Sequence, residues 1–242
     1  MTEPLHEFSQ EELDEVFPRP SLREVAFEFR FATRLRVNAE LWKIQDQLAE
    51  QYPSVGTEQI LQPNGTFTNV NVFQNQSSGR VIKVSQENFV IAFTRYSKFE
   101  DFKDEVIAKA NAFCSTFQVT TLKRIGLRYV NDIFLPPSES PTSLLKFVRP
   151  YMDFQRLPLD KLNQFVNEVQ LQYADHLVTV RGVLLAALED GRRVYVLDID
   201  CYSAVPQVSD DIPHLLDKYH DASQRLFLDH ITEAHKNLMR GK

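Results

Sequence analysis

The chain is short of several things. Of its 242 residues, seven are glycine, two are cysteine and one is tryptophan. So few glycines leave little material for a loop whose backbone wraps a phosphate. No Walker A loop, G-x-G-x-x-G fingerprint or G-x-S-x-G elbow occurs. Cys114 and Cys201 form neither a CxxC pair nor a zinc spacing. Both fall at apolar positions, so they are expected as buried thiols in a reducing compartment rather than as nucleophiles. The six histidines make no HExxH motif. No apolar run reaches the roughly 18 residues of a transmembrane helix. The acidic start MTEPLHEFSQEELDEVF lacks the apolar centre of a signal peptide. The expectation is a cytoplasmic protein without a membrane span. Basic charge is also in deficit, with 27 Lys and Arg against 33 Asp and Glu for a formal charge of -6. Tracking phosphates takes a surplus of Lys and Arg, so nucleic acid is disfavoured as a partner.

What is present is apolar patterning, with 18 phenylalanines to build a core. Residues 1–20 read as a flexible acidic tail that closes on Pro18 and Pro20. In LREVAFEFRF, 22–31, Val25, Phe27, Phe29 and Phe31 alternate with Ala26, Glu28 and Arg30, the period of a half-buried strand. A helix over 38–52 carries Leu41, Ile44, Leu48 and Tyr52 on one stripe and stops at Pro53. The amide-rich segment 57–79 starts as a long connection, a candidate binding loop. Strands follow near 70–74, 80–85 and 88–95, then a helix over 98–117 with Phe102, Val106, Ala110 and Phe113 on one side. The second half repeats the order: a strand at 122–131, a short helix at 140–149, strands at 168–173, 178–188 and 192–203, and a helix at 212–231. Asp190-Gly191 marks a hairpin.

The pattern predicts an α+β protein of two tandem β-α-β-β-β-α units, 21–118 and 119–242, descended from one duplicated half. Val25, Phe27 and Phe29 align with Ile125, Leu127 and Tyr129, and FVIAFTRYS aligns with YVLDIDCYS. Side by side, the units give a mainly antiparallel curved sheet with its helices on one side. The order resembles the TATA-binding-protein-like, or helix-grip, arrangement, an analogy that carries no DNA binding with it. Open sheet edges also admit a homodimer.

With helices on one face, the other carries the alternate residues. Glu24, Ala26, Glu28 and Arg30 come from the first strand, and Arg124, Gly126, Arg128, Val130 and Asp132 from its counterpart. Asp198, Asp200 and Tyr202 come from the last strand. Acids outnumber bases among these. Three readings compete for this face. Cross-strand ion pairs keep an open sheet soluble. Alternatively, Glu28, Arg30, Arg124, Arg128, Asp132, Asp198, Asp200 and Tyr202 dock a protein partner or a small polar ligand, with Arg124 and Arg128 holding an anion. A third reading makes Asp198-x-Asp200, with Asp132 or Glu28, a Mg2+ or Mn2+ site of an enzyme acting on a nucleotide or phosphoester. For the face itself, cross-strand ion pairing is the first expectation. For function, the expectation is a non-enzymatic binding or scaffolding protein acting through this face and the 57–79 loop, with no catalytic residue, resident metal or cofactor. His220, flanked by Asp217 and Asp221, is expected on a solvated or interface helix face rather than in a ligand cluster.

PRPSLREVAFEFRF, LKRIGLRYVNDI, LDID and the late His220, Phe227, Ile231 and Thr232 carry a resemblance across nearly the whole chain. They resemble a sporadically distributed family of uncharacterised prokaryotic proteins, with RIGLRYVN as the most specific piece. The resemblance implies a cytoplasmic protein of the accessory genome, in a defence or toxin–antitoxin context, and carries no activity. Among its motif positions, Asn131 is expected on the core side, satisfying a buried backbone group.

Overall fold

The computed structural model describes residues 8–61, 65–135, 143–152 and 157–242. Ten strands make one antiparallel sheet. They are β1 (Leu22–Phe31), β2 (Ser54–Leu61), β3 (Phe67–Asn75), β4 (Arg80–Val84), β5 (Asn88–Phe93), β6 (Thr121–Leu135), β7 (Phe165–Gln172), β8 (His176–Leu184), β9 (Arg193–Ser203) and β10 (Gln207–Val208). The helices are α1 (Gln10–Leu13), α2 (Leu35–Ala39), α3 (Trp42–Leu48), α4 (Phe99–Phe117), α5 (Leu144–Phe147), α6 (Ile212–His230) and α7 (Glu233–Met239). No helix among the described residues is long and apolar enough to cross a membrane.

The sheet order is β2-β3-β4-β5-β1-β6-β9-β8-β7, with β10 against one end of β6. Outward from the β1–β6 seam, one side reads β5, β4, β3 and the other β9, β8, β7. β2 lies beyond β3 with no counterpart beyond β7 among the described residues, so the first unit has one strand more than expected and the two sides match over three strands each. The alternation in β1 sets the layers. Val25, Phe27, Phe29 and Phe31 are buried under the helices, and the residues between them face the other way. The ring of Phe29 stacks on Phe89 at 5.0 Å and meets Phe113 of α4 edge-on at 5.7 Å. The predicted stripe Phe102, Val106, Ala110, Phe113 of α4 is buried. So are Leu215, Tyr219 and Leu226 of α6, with Ala222 packed against them. The helices lie on one side of the sheet, as the patterning requires.

Three details depart from the sequence reading. The start of the 57–79 segment is strand, not loop: β2 pairs with β3 from Ser54–Gln74 to Leu61–Phe67, closing near Gly65 at φ +81°. Every side chain of β2 is exposed, so no buried face imprints an alternation on its sequence. The helix expected over 38–52 is two, broken between Ala39 and Trp42. The segment expected as a helix over 140–149 is helical at Leu144–Phe147, and residues 140–142 lie outside the described part. The Asp190-Gly191 turn is found, with Gly191 at φ +79°.

Residues 8–20 belong to the stretch expected as a flexible tail, and they are packed. Phe8, Leu13 and Phe17 lie against the core, and Arg19 N–H donates to the Met239 carbonyl at 3.0 Å. Arg240 of the C-terminal end holds both oxygens of Glu15, at 2.6 and 2.7 Å. Just beyond, the Ser21 hydroxyl lies 2.7 Å from His235 Nε2.

Two buried histidines make this packing acid-sensitive. His230 shares a 2.7 Å hydrogen bond with the Tyr195 hydroxyl, and Gly182 beside it leaves the room that this hydroxyl needs. His230 and His235 each keep an unpartnered buried Nδ1. Burial lowers both imidazoles to about 4. Between pH 6.5 and 4 the unfolded chain therefore takes up protons that the folded chain refuses. Stability is complete above pH 6.5 and is lost as pH falls toward 4, by roughly 2 kcal/mol per histidine at pH 5. Urea midpoints are expected to drop between pH 7 and pH 5, and His235→Gln is expected to remove about half of that drop. Equal drops in both proteins would refute this origin.

Candidate functional site

The eight residues expected on the open face lie on three adjacent strands, β1, β6 and β9, and alternation turns them away from the helices. Seven make contacts within the set, five in one connected group around Arg124 and two as the separate pair Arg128–Asp198. Glu28 accepts from Arg30 at 3.0 Å and from Arg124 at 2.7 Å. The other terminal nitrogen of Arg124 donates to Asp200 at 2.6 Å. Arg128 grips Asp198 with two parallel hydrogen bonds of 2.7 and 2.6 Å. The guanidinium of Arg124 lies 4.4 Å from the ring centre of Tyr202, whose hydroxyl accepts from Gln170 at 2.6 Å. Asp132 sits apart, near the end of β6, paired with Arg23 at 2.9 Å.

Register explains the geometry. Gly126 stands directly opposite Glu28 on one side and Tyr202 on the other. A Cβ there would lie 2.5 Å from Arg124 Nη1 and 3.0 Å from its Cζ. The missing side chain is the floor on which Arg124 lies across three strands. The sequence showed this as R-x-G-x-R, but the glycine was read only as a face position. Glu28, opposite Gly126, reaches Arg124 diagonally.

The network is half-sheltered. The side chains of Arg124 and Glu28 are both 18% exposed, and that of Arg128 is 49% exposed. Burial holds the Asp200 carboxyl above its ordinary range, and Arg124 and Arg128 oppose that. These arrangements leave little unspent chemistry. Asp198 gives both oxygens to Arg128, and Arg124 is shared by two carboxylates. Among the described residues no three His, Cys, Asp or Glu side chains group as metal ligands. Cys114 and Cys201 are free and buried, and burial pushes their thiols up to about 11 and about 12, so neither is a ready nucleophile.

The helix side holds a cluster that sequence spacing did not show. His220 Nδ1 lies 2.8 Å from the Tyr129 hydroxyl, and its ring stacks on Phe99 at 3.8 Å. This histidine is half-buried against two aromatic rings rather than solvated. Tyr129 belongs to the RIGLRYVN strand but points opposite to Arg128, and 91 residues separate it from its partner.

No family model matches the chain, and no curated protein matches it. The comparisons therefore do not bear on the RIGLRYxN resemblance. Among solved structures, the crystal structure of the di-domain ARO/CYC StfQ from the steffimycin biosynthetic pathway aligns with 90% of this chain and 99% of its own. The identity is 9% and the TM-score 0.18, too low to carry an argument.

The role of Gly126 is open to a double-mutant test. Gly126→Ala displaces the Arg124 guanidinium, with an expected net cost of about 1 kcal/mol in urea unfolding. In an Arg124→Ala background the guanidinium no longer lies over the glycine, and the Gly126→Ala change is expected to stabilise by roughly 0.5 kcal/mol through reduced chain entropy. The same cost in both backgrounds would show that the arginine does not rest on Gly126.

Proposed function

We propose that the chain is a non-enzymatic binding protein that docks a protein partner on the helix-free face of its sheet. One observation carries this reading: the ions at the middle of the face are already paired with one another. Glu28, Asp198 and Asp200 stand with Arg30, Arg124 and Arg128 in direct contact. An anion sensor built on Arg124 and Arg128 would have to displace carboxylates already bound there. A metal enzyme built on Asp198 and Asp200 would have to displace arginines. A protein partner needs neither. Side chains already fixed by each other lose little further freedom on docking, which favours association. Flanking the central ions, the face carries further pairs, Lys83 with Glu58 and Arg181 with Glu168, and Val166 and Ile60 are exposed on its outer strands. Arginine and aromatic groups such as Arg128 and Tyr202 are also favoured interface residues. A place in a defence or toxin–antitoxin module follows from the family resemblance only.

The test is affinity capture with three baits: wild type, Arg128→Glu, and Lys109→Glu on α4, which makes the same charge change on the helix side. A protein held by wild type and Lys109→Glu but lost with Arg128→Glu is expected. In the purified complex it should slow amide exchange in β1, β6 and β9. Identical captures by all three baits would refute docking on this face.

A further inference from the structure

On the other side of the sheet, the docked N-terminal segment roofs a cleft beside α6 and the start of α4. The outer part has a volume of about 690 Å³. An inner chamber of about 140 Å³ shares Phe17, Pro20, Leu22, Tyr96, His220 and Gln224 with it. Beyond these, the chamber is lined by Tyr129, Phe227 and Met239 and by the polar Ser21, Asn131 and Ser223. An apolar cavity of about 150 Å³ in a protein interior is enough to hold benzene. The chamber thus has the size and lining for one aromatic ring or a branched alkyl group.

The mouth has a charge sign. Asp14, Glu15, Glu100, Asp217 and Asp221 line it, against Lys98 and Arg225. Glu15 is held by Arg240, Asp217 by Lys103, and Lys98 by Asp101. That leaves Asp14, Glu100 and Asp221 without an ion-pair partner among the described residues, against Arg225 as the cation in the same position. Behind the mouth stand π faces: Tyr96 and Tyr129 meet edge to face at 6.3 Å, and Phe99 covers His220. Burial lowers the His220 imidazole below its ordinary range, against the pull of Asp221, Glu100 and Asp217. It is therefore uncharged at neutral pH and does not repel a cation.

We propose that this cleft binds a small amine with an aromatic or branched apolar body. The body fills the inner chamber between Phe17, Tyr96 and Tyr129, and the ammonium sits at the mouth near Glu100 and Asp221. Carboxylates supply the attraction there. The site lies opposite the docking face and does not depend on that reading.

Calorimetric titration at pH 7.5 with 2-phenylethylamine, 2-phenylethanol and phenylacetate tests it. All three carry the same ring, so the head group alone differs. The amine is expected to bind at least tenfold more tightly than the alcohol, with the carboxylate weakest. Glu100 and Asp221 are exposed, so Glu100→Gln/Asp221→Asn should fold normally and weaken the amine at least fivefold while leaving the alcohol unchanged. No binding of any probe at millimolar concentration would overturn the site. Equal binding of all three, an indifferent double variant, or ligand-induced NMR shifts that spare α6 and residues 13–22 would overturn the amine assignment.

Discussion

Strand β6, fifteen residues long, is paired to β1 over residues 122–131 and to β9 over residues 126–135. Its side chains cannot move from one face to the other without breaking two ladders at once. A slip of one residue would send Arg124, Arg128 and Asp132 into the helix layer and expose Ile125, Leu127 and Tyr129. Both the phenylalanine core and the ionic face depend on this register. The interior position of β6 also explains the need for Gly126. Neighbouring strands lie about 4.8 Å away, so one arginine folded flat over a missing side chain can touch groups on both.

The ionic face meets a problem created by the helices being on one side only. A wide uncovered sheet must be kept from pairing with other apolar surfaces. Isolated charges at its centre would lose hydration in the shelter of neighbouring side chains. Pairing meets both demands, because each half-buried guanidinium faces a carboxylate. The sequence reading counted more acids than bases here. In three dimensions the contacting set is balanced, because Asp132 goes to Arg23 and Glu24 makes no ion pair among the described residues. Only spatial grouping reveals that balance, since alternation assigns a residue to a face but not to a partner.

Much of the fold was legible for a common reason: those segments have one buried face. β1, α4, α6 and the Asp190-Gly191 hairpin announce themselves by period or by turn chemistry. β2 was not legible, because a strand exposed on both faces leaves no periodic trace. The break between α2 and α3 was also missed, since Leu41, Ile44 and Leu48 keep a helical spacing across it. At the candidate sites the residues of the face were legible and their pairings were not. The His220–Tyr129 contact joins two segments whose separation along the chain carries no signal, so no local pattern could show it.

The two proposed sites share β6 at adjacent residues, with Arg128 turned to the helix-free face and Tyr129 to the cleft. Closeness alone does not couple them. Coupling needs an element with two arrangements that both sites bias, and a central strand held by ladders on both edges has only one arrangement. The elements with freedom to respond lie elsewhere. The roof of the cleft is held by single contacts such as Ser21 with His235 and Arg240 with Glu15, not by a sheet ladder. An occupant of the cleft would therefore tighten the N-terminal segment against α6 and α7, while the geometry of Arg128 and Asp198 stays as the strands set it. The fold separates its two surfaces by placing them on opposite sides of its most constrained strand.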